Sequence, residues 1–389
     1  MSEIESFPRR TERTLSEHLD RVIEGALARE RIVGMVVRLA LDGKLVYLRA
    51  AGMADRESGV PMREDMVFRL ASITKLFVSV AALASAEQEL IGLEDPVTKW
   101  LPSFRPRLPD GREPAITLRH LLTHTSGLGY GHLPNSSAYR KAGVSNGLDR
   151  PGLSLEEQLR RLASVPLLCE PGTAWNYSLS TDVLGAALAV AHGMTLPEVV
   201  QQLVIEPLGL QDAGFNIKDD ARLAVPYINA FPRPLRMRDP QVIRAKDRIL
   251  QLSPSRILDP RSYPSGGGGM AGTGADVHSL LEALRLGGAP ILRRASVQAL
   301  CTNALPESVA FEDPGWGFGL GVAVLLDPEN ARTPHSLGTW QWGGVYGHHY
   351  FVDPGQRISA VILTNVALEG PDCAFTIDVR DAIYHALST

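Results

Sequence analysis

The chain has 389 residues, 44% of them apolar and 21% charged, a balance that buries a sizeable core and excludes a disordered or fibrous chain. Its formal net charge of -4 leaves no basic field to hold a nucleic acid or an anionic membrane surface. Met1 to Asp20 alternates charges where a secretory leader needs a basic start and an apolar stretch, and no apolar run reaches the roughly 18 residues of a spanning helix, so a cytoplasmic protein with no membrane span is expected.

In chain order, Leu15, Leu19, Val22, Ile23 and Ala26 recur at helical spacing and predict an amphipathic helix over 12–29. Val36 to Leu41 and Leu45 to Ala51 follow as strands joined through Asp42-Gly43, a dipeptide that favours a two-residue hairpin turn. Between 72 and 300 helical patterns dominate, at Leu76 to Glu89, Leu118 to Leu122, Leu155 to Ala163, Thr181 to Ala191 and Ala275 to Leu286. Ala230 to Pro264 is rich in proline and poor in periodicity, which predicts a long surface loop or lid, and Gly266 to Gly269 reads as a flexible loop before a helix. Gly319 to Leu326, His348 to Val352 and Ile358 to Leu363 read as strands, the last two linked through Asp353-Pro354-Gly355, and the closing helix carries Phe375, Val379, Ala382, Ile383 and Ala386 on one face.

Each end of the chain, a helix plus strands, is too small to bury a core by itself. The two join most simply into one antiparallel sheet covered by the terminal helices. The expected fold class is therefore α+β, with 1–71 and 301–389 forming a discontinuous α/β sheet domain and 72–300 a mainly helical insert that includes the Pro-rich loop or lid 230–264.

The chemistry centres on Ser72-Ile73-Thr74-Lys75, a Ser-x-x-Lys at the start of an apolar helix that puts both side chains on one face. Backbone N–H groups and the positive end of the helix dipole favour developing negative charge there, and a lysine activates a neighbouring serine best when partly desolvated. With six lysines in the chain, one such spacing arises by chance in roughly a third of similar sequences. The bland alternative is a serine N-cap followed by a solvated lysine. What weighs against it is Leu76, Phe77, Val78, Val80, Ala81, Ala82 and Leu83, which make the helix apolar nearly all round, so that its lysine needs a reason to be there.

The run Phe68-Arg69-Leu70-Ala71-Ser72-Ile73-Thr74-Lys75 resembles the active-serine motif of class C β-lactamases, D-Ala-D-Ala peptidases and family VIII carboxylesterases. Leu121-Leu122-Thr123-His124-Thr125-Ser126-Gly127-Leu128 is similar to the segment these proteins carry after their first helices. Glu170-Pro171-Gly172 up to Tyr177-Ser178 resembles their Tyr-x-Asn region, and Trp342-Gly343-Gly344-Val345 resembles their third motif, on the strand that flanks the serine. The resemblance runs from about residue 30 to the C-terminus and implies a β-lactamase/transpeptidase-like fold with the site in the groove between sheet and helices. It implies Tyr177 as a second base or acid beside Ser72 and Lys75, an oxyanion hole from the backbone N–H groups of Ser72 and Val345, an aromatic wall at Tyr130, and substrate contacts from Trp342, Gly343 and Gly344. Without the family, Tyr177 reads equally as a core tyrosine with a satisfied hydroxyl, and Tyr130 as a surface plug.

Two departures shape the substrate expectation. Leu179 stands where lactamases and peptidases carry Asn, and Trp342 where they carry Lys or His. A charge-assisted hydrogen bond contributes about 1.5 to 3 kcal/mol, so losing that cation weakens binding of a substrate carboxylate roughly 10- to 150-fold. Trp-Gly-Gly is what the esterase branch tends to carry. Small neutral esters, with short acyl chains, are the implied substrates, cleaved through an acyl-enzyme on Ser72 with no metal or organic cofactor. A β-lactamase or D-Ala-D-Ala carboxypeptidase, an acyltransferase or transesterase, and a non-catalytic ligand-binding relative remain as alternatives.

Other motifs read blandly. Gly143-Val144-Ser145-Asn146-Gly147 matches the Gly-x-Ser-x-Gly elbow of α/β-hydrolases, but the flanking segments lack the strand and helix that the elbow requires. His120 and His124, and the adjacent His348 and His349, are expected to cap, brace loops and pack strands rather than hold zinc, although a Ser-His-Asp triad stays open because its members need no fixed spacing. Cys169, Cys301 and Cys373 are odd in number and far apart, which predicts buried free thiols.

Overall fold

In the computed structural model the described residues are 9–133, 137–217, 219–245, 248–368 and 374–388. The helices that position the site are α1 (Arg9–Ala28), α2 (Thr74–Glu87), α3 (Ser180–His192), α4 (Gly274–Arg285) and α5 (Ala374–Ser388). The strands are β1 (Gly34–Leu41), β2 (Lys44–Asp55), β3 (Val60–Pro61), β4 (Trp316–Phe318), β5 (Ala323–Leu325), β6 (Trp340–Gly344), β7 (His348–Asp353) and β8 (Ile358–Thr364). They form one 8-stranded antiparallel sheet in the order β4-β5-β6-β7-β8-β1-β2-β3. The two ends of the chain meet in its middle, where Val37 of β1 lies opposite Ile362 of β8.

The Asp42-Gly43 turn has φ of 52° and 81°, the two left-handed residues that a two-residue hairpin needs. β7 and β8 are buried along their whole length because both sheet faces are covered. On one face α1 and α5 pack Leu15, Leu19, Ile23, Phe375, Val379 and Ile383 against Val37, Leu39, Ile358 and Ile362. On the other face Val277, Leu280 and Leu281 of α4, with the helical body, meet Val36, Val361 and Leu363. The fold is the β-lactamase/transpeptidase-like α+β arrangement expected, antiparallel sheet and terminal helices included.

Several local expectations change. The strand expected over Gly319 to Leu326 is a hairpin: β4 and β5 pair with Trp316 opposite Leu325, and the Gly319 N–H donates to the Val322 carbonyl at 2.8 Å. Gly321, at φ 116°, makes the turn possible and lies so close to α2 that a Cβ there would sit 2.2 Å from Ser79 Oγ. Within 230–264, expected as loop or lid, Gln241–Ala245 and Arg248–Leu252 pair as a hairpin that packs Leu250 and Leu252 with Met237, Tyr346 and Ala71. A helical stretch from Leu196 to Leu208 goes beyond the expected elements, although Thr195 and Glu198 spell a capping box and Pro197 stands where proline starts helices. Among the described residues no single helix is long and apolar enough to cross a membrane.

Leu19→Ala, which removes a fully buried side chain from the α1 stripe, is expected to destabilise the protein by about 2–5 kcal/mol and to leave KM for an ester unchanged. A thermal midpoint equal to wild type would mean that α1 does not hold the sheet.

Candidate active site

Ser72 lies on a 3₁₀ turn, Ala71–Ile73, rather than in the first turn of α2 as the sequence suggested. The preceding strand, Phe68–Arg69, pairs with Ala271–Gly272, and Ala71 at φ 47° turns the chain sharply out of it. A non-glycine residue with that backbone is uncommon, and it presents the serine at the mouth of the turn instead of along a helix flank. His348 Nε2 reaches the Arg69 carbonyl at 2.9 Å, which braces β7 against this strand.

The turn brings the expected trio together. The Tyr177 hydroxyl donates to Ser72 Oγ at 2.6 Å, and Lys75 Nζ donates to the same oxygen at 3.2 Å and to the Gly267 carbonyl at 2.7 Å. Lys75 is only 2% exposed. Its ammonium also faces the Tyr177 and Tyr130 rings, at 4.7 and 5.6 Å from their centroids, within the range of cation–π attraction. Gly266 to Gly269, expected as a flexible loop, is a buried wall behind the lysine. A Cβ on Gly266 would lie 2.4 Å from the Thr181 carbonyl oxygen and one on Gly269 2.7 Å from the Ser265 nitrogen, so the run is glycine for lack of space.

Tyr177 arrives on the loop between Glu170 and α3, tied by the Asn176 N–H to the His124 carbonyl at 2.9 Å and by the Gly172 N–H to the Thr125 carbonyl at 2.7 Å. Its ring is held by aromatic neighbours: His124 edge-on at 5.1 Å, Tyr130 at 5.2 Å and Trp342 at 5.3 Å. His124, left-handed at φ 55°, pairs Nδ1 with Ser178 Oγ at 2.9 Å. Burial, and then the Lys75 charge, hold His124 well below the ordinary histidine value, so it packs as a neutral ring. Burial likewise pushes the Tyr130 phenol well above 10, which keeps it neutral.

A pocket of about 400 Å³ opens above Ser72, and Tyr130, Tyr177, Trp342, Gly343, Gly344 and Val345 all line it. β6 approaches the serine turn so closely that a Cβ on Gly344 would sit 2.6 Å from the Leu70 carbonyl oxygen. That contact explains the second glycine of Trp-Gly-Gly, and the next residue, Val345, lines the pocket together with Ser72. Leu148, Leu250, Phe311, Trp316 and Leu368 add an apolar part of the wall that was not legible in the sequence, because it comes from loops, from the start of β4 and from the hairpin over Gln241–Leu252. His349 also lines the pocket, pushed down to about 4 by burial and neutral in consequence.

Leu179 is fully buried in the helical core and contributes nothing to the pocket wall. Ser145 is buried in a loop, its hydroxyl bonded to the Asp149 carboxylate and its N–H donating to Gln158 Oε1 at 2.9 Å, with no strand before it and no helix after it. His120 caps its own short helix, Leu118–Leu122, through a box with Thr117. Among the described residues no three His, Cys, Asp or Glu side chains are grouped to hold a metal. Cys169 and Cys301 are free thiols, partly exposed rather than fully buried, and Cys373 lies outside the described residues.

A family model described as Beta-lactamase matches residues 19–382. The chain is 47% identical over 375 residues to Esterase EstB of Burkholderia gladioli, covering 95% of each protein. It is 30% identical to Acyltransferase calJ of Penicillium decumbens, over 85% of this chain and 83% of that one. Among solved structures, EstCE1, a hydrolase with promiscuous acyltransferase activity, superposes with a TM-score of 0.93 at 42% identity, covering 96% of this chain and 99% of that chain.

Gly344→Ala is expected to push β6 away from the serine turn and to lower ester kcat/KM by about 10- to 1000-fold, with kcat falling more than KM rises. Steady-state kinetics on a folded variant check this, and an unchanged kcat would show that the close approach does not govern the site.

Proposed function

Because the chain belongs to the Beta-lactamase family and is a carboxylesterase of its family VIII branch, we propose that it hydrolyses small neutral carboxylic esters through an acyl-enzyme on Ser72. The observation that carries this reading is the shared hydrogen bonding of Ser72 Oγ with Tyr177 and Lys75. As the phenolate that the Lys75 ammonium stabilises, Tyr177 takes the Ser72 proton while Oγ attacks the ester carbonyl. Negative charge developing on the carbonyl oxygen meets the Ser72 and Val345 amides. Tyr177 then protonates the departing alkoxide, and water enters by the reverse of the same proton path and releases the acid.

The pocket supports neutral substrates. Among the described residues its wall holds no lysine or arginine, while Glu312 and Asp313 stand on it and Trp342 occupies the place of a cation. A substrate carboxylate finds no lysine or arginine among those lining residues, which disfavours β-lactams and D-Ala-D-Ala peptides. A pocket of about 400 Å³ suits short acyl chains. Transfer of the acyl group to an alcohol is the second reading, supported by the apolar outer wall and by the likeness to EstCE1.

Hydrolysis of p-nitrophenyl butyrate by wild type, Ser72→Ala and Ser145→Ala, with intact mass after a fluorophosphonate probe, tests the assignment. Ser72→Ala is expected to lose turnover by about 10⁴-fold or more and to lose the label, while Ser145→Ala keeps both. A dead Ser145→Ala with an active Ser72→Ala would overturn the site. Turnover of a chromogenic cephalosporin matching that of the ester would overturn the substrate class.

A further inference from the structure

We propose that Asp182 is a positioning residue for the Ser72, Lys75 and Tyr177 cluster, acting as the buried counter-charge of the Lys75 ammonium. The inference rests on the acyl-enzyme reading above and deepens it, since it assigns proton acceptance to Tyr177 rather than to Lys75.

Asp182 stands in the first turn of α3, 2% exposed, and no donor sits at full hydrogen-bond geometry on either carboxylate oxygen, although the Ser265 hydroxyl and the Gly267 N–H face it. A carboxylate taken out of water costs stability unless a charge or donors compensate it, so its retention next to a reaction centre calls for a return. Gly267 supplies the geometry. Its carbonyl accepts from Lys75 Nζ, and the point where a Cβ would stand is 2.5 Å from Asp182 Oδ2, 3.1 Å from the Tyr130 hydroxyl and 3.5 Å from Lys75 Nζ. The missing side chain is what lets carboxylate, phenol and ammonium converge on one backbone segment. Any larger residue would occupy the space between the charges.

The groups facing this pair come from each element around it. Tyr130 and Tyr263 are pushed well above 10, by burial first and by Asp182 among the further causes, so they stay neutral and bring no competing anion. His124 is neutral by burial. Arg256, which donates to the Tyr263 carbonyl at 2.7 Å, is a second cation acting on Asp182. Burial pushes the Asp182 carboxyl above the ordinary carboxylate range, and Ser265, Lys75 and Arg256 draw it back. Arg256 is shared with the buried Asp149 carboxylate, and with the Tyr177 hydroxyl protonated in the resting site the Asp182 carboxylate is the group that balances a lysine buried away from water. A lysine kept as ammonium cannot take the Ser72 proton, and Tyr177, 2.6 Å from Ser72 Oγ, is left to do so as its phenolate.

The test is the pH profile of kcat/KM for p-nitrophenyl butyrate in wild type, Asp182→Asn and Asp182→Glu, beside fluorophosphonate labelling of Ser72. Removing the negative charge lets the ammonium lose its proton at lower pH, so Asp182→Asn is expected to bring the alkaline limb down by about one to two pH units. Its kcat is expected to fall roughly 10- to 100-fold with KM nearly unchanged, and Asp182→Glu is expected to return the limb toward wild type. A folded Asp182→Asn with the wild-type limb would overturn the proposal while leaving the acyl-enzyme reading standing. A wild-type enzyme unlabelled at Ser72 would overturn that reading instead. Should Asp182→Asn fail to fold, NMR of [ε-¹³C]lysine-labelled wild type decides: the chain has six lysines, and Lys75→Arg identifies the signal. An ammonium shift for Lys75 at pH 7 is expected, and a neutral amine at that pH would overturn the counter-charge.

Discussion

Lys75 is held almost entirely out of water, and an amine in that position must be given acceptors and π-faces by whatever surrounds it. Those demands fix the neighbourhood. Gly267 offers a carbonyl, Ser72 a hydroxyl, and Tyr130 and Tyr177 their rings. Each comes from a different stretch of chain, so the sheet edge, the serine turn, the tyrosine loop and the glycine run have to be placed together before the lysine can be buried. The aromatic neighbours of Tyr177 and the bonds from Asn176 and Gly172 to the segment around His124 follow from the same need, since a tyrosine that can swing away would leave the ammonium facing apolar side chains.

The approach of β6 to the serine turn is the second constraint. The strand brings the Gly344 backbone against the Leu70 carbonyl and, with Trp342, supplies one wall of the pocket above Ser72. The rest of the wall comes from loops, from β4 and from a hairpin whose Leu250 and Leu252 pack with Ala71, next to Ser72. The shape of the pocket is therefore set largely by parts of the chain outside the Ser72, Lys75 and Tyr177 cluster.

Much of this was legible in the sequence where a local rule applies. The Asp42-Gly43 turn follows from backbone chemistry, the paired strands and terminal helices from hydrophobic period, Ser72 and Lys75 from motif spacing set against an apolar helix, and Tyr177 from the family resemblance alone. What was hidden lay where one residue type serves two physical ends. Gly266 to Gly269 reads as freedom of backbone, whereas in the fold glycine is used for its absence of volume. Prolines across 230–264 masked a hairpin, because its strands are short and only partly buried. Asp182 sits in the first turn of a helix, where an acid is unremarkable as a dipole partner, and only the packing of α3 against the glycine wall turns it inward. Gly319 to Leu326 has the composition of one strand, yet its first half is the turn of a hairpin, with Gly321 close over Ser79, and only Ala323–Leu325 pairs, with β4 before it.

The pairing of β1 with β8 carries a consequence for biosynthesis. Val37 and its neighbours are synthesised early, yet the strand they bond to, around Ile362, emerges only when the chain is nearly complete. At about 5–20 residues per second, on the order of tens of seconds separate the two. During that interval the β1–β2 hairpin offers an unpaired, apolar edge to the cell, with neither α5 nor β8 to cover it. The sheet cannot be assembled progressively from the ribosome, and its closure waits on a contact of very high sequence separation, which makes folding slow and dependent on protection of that edge.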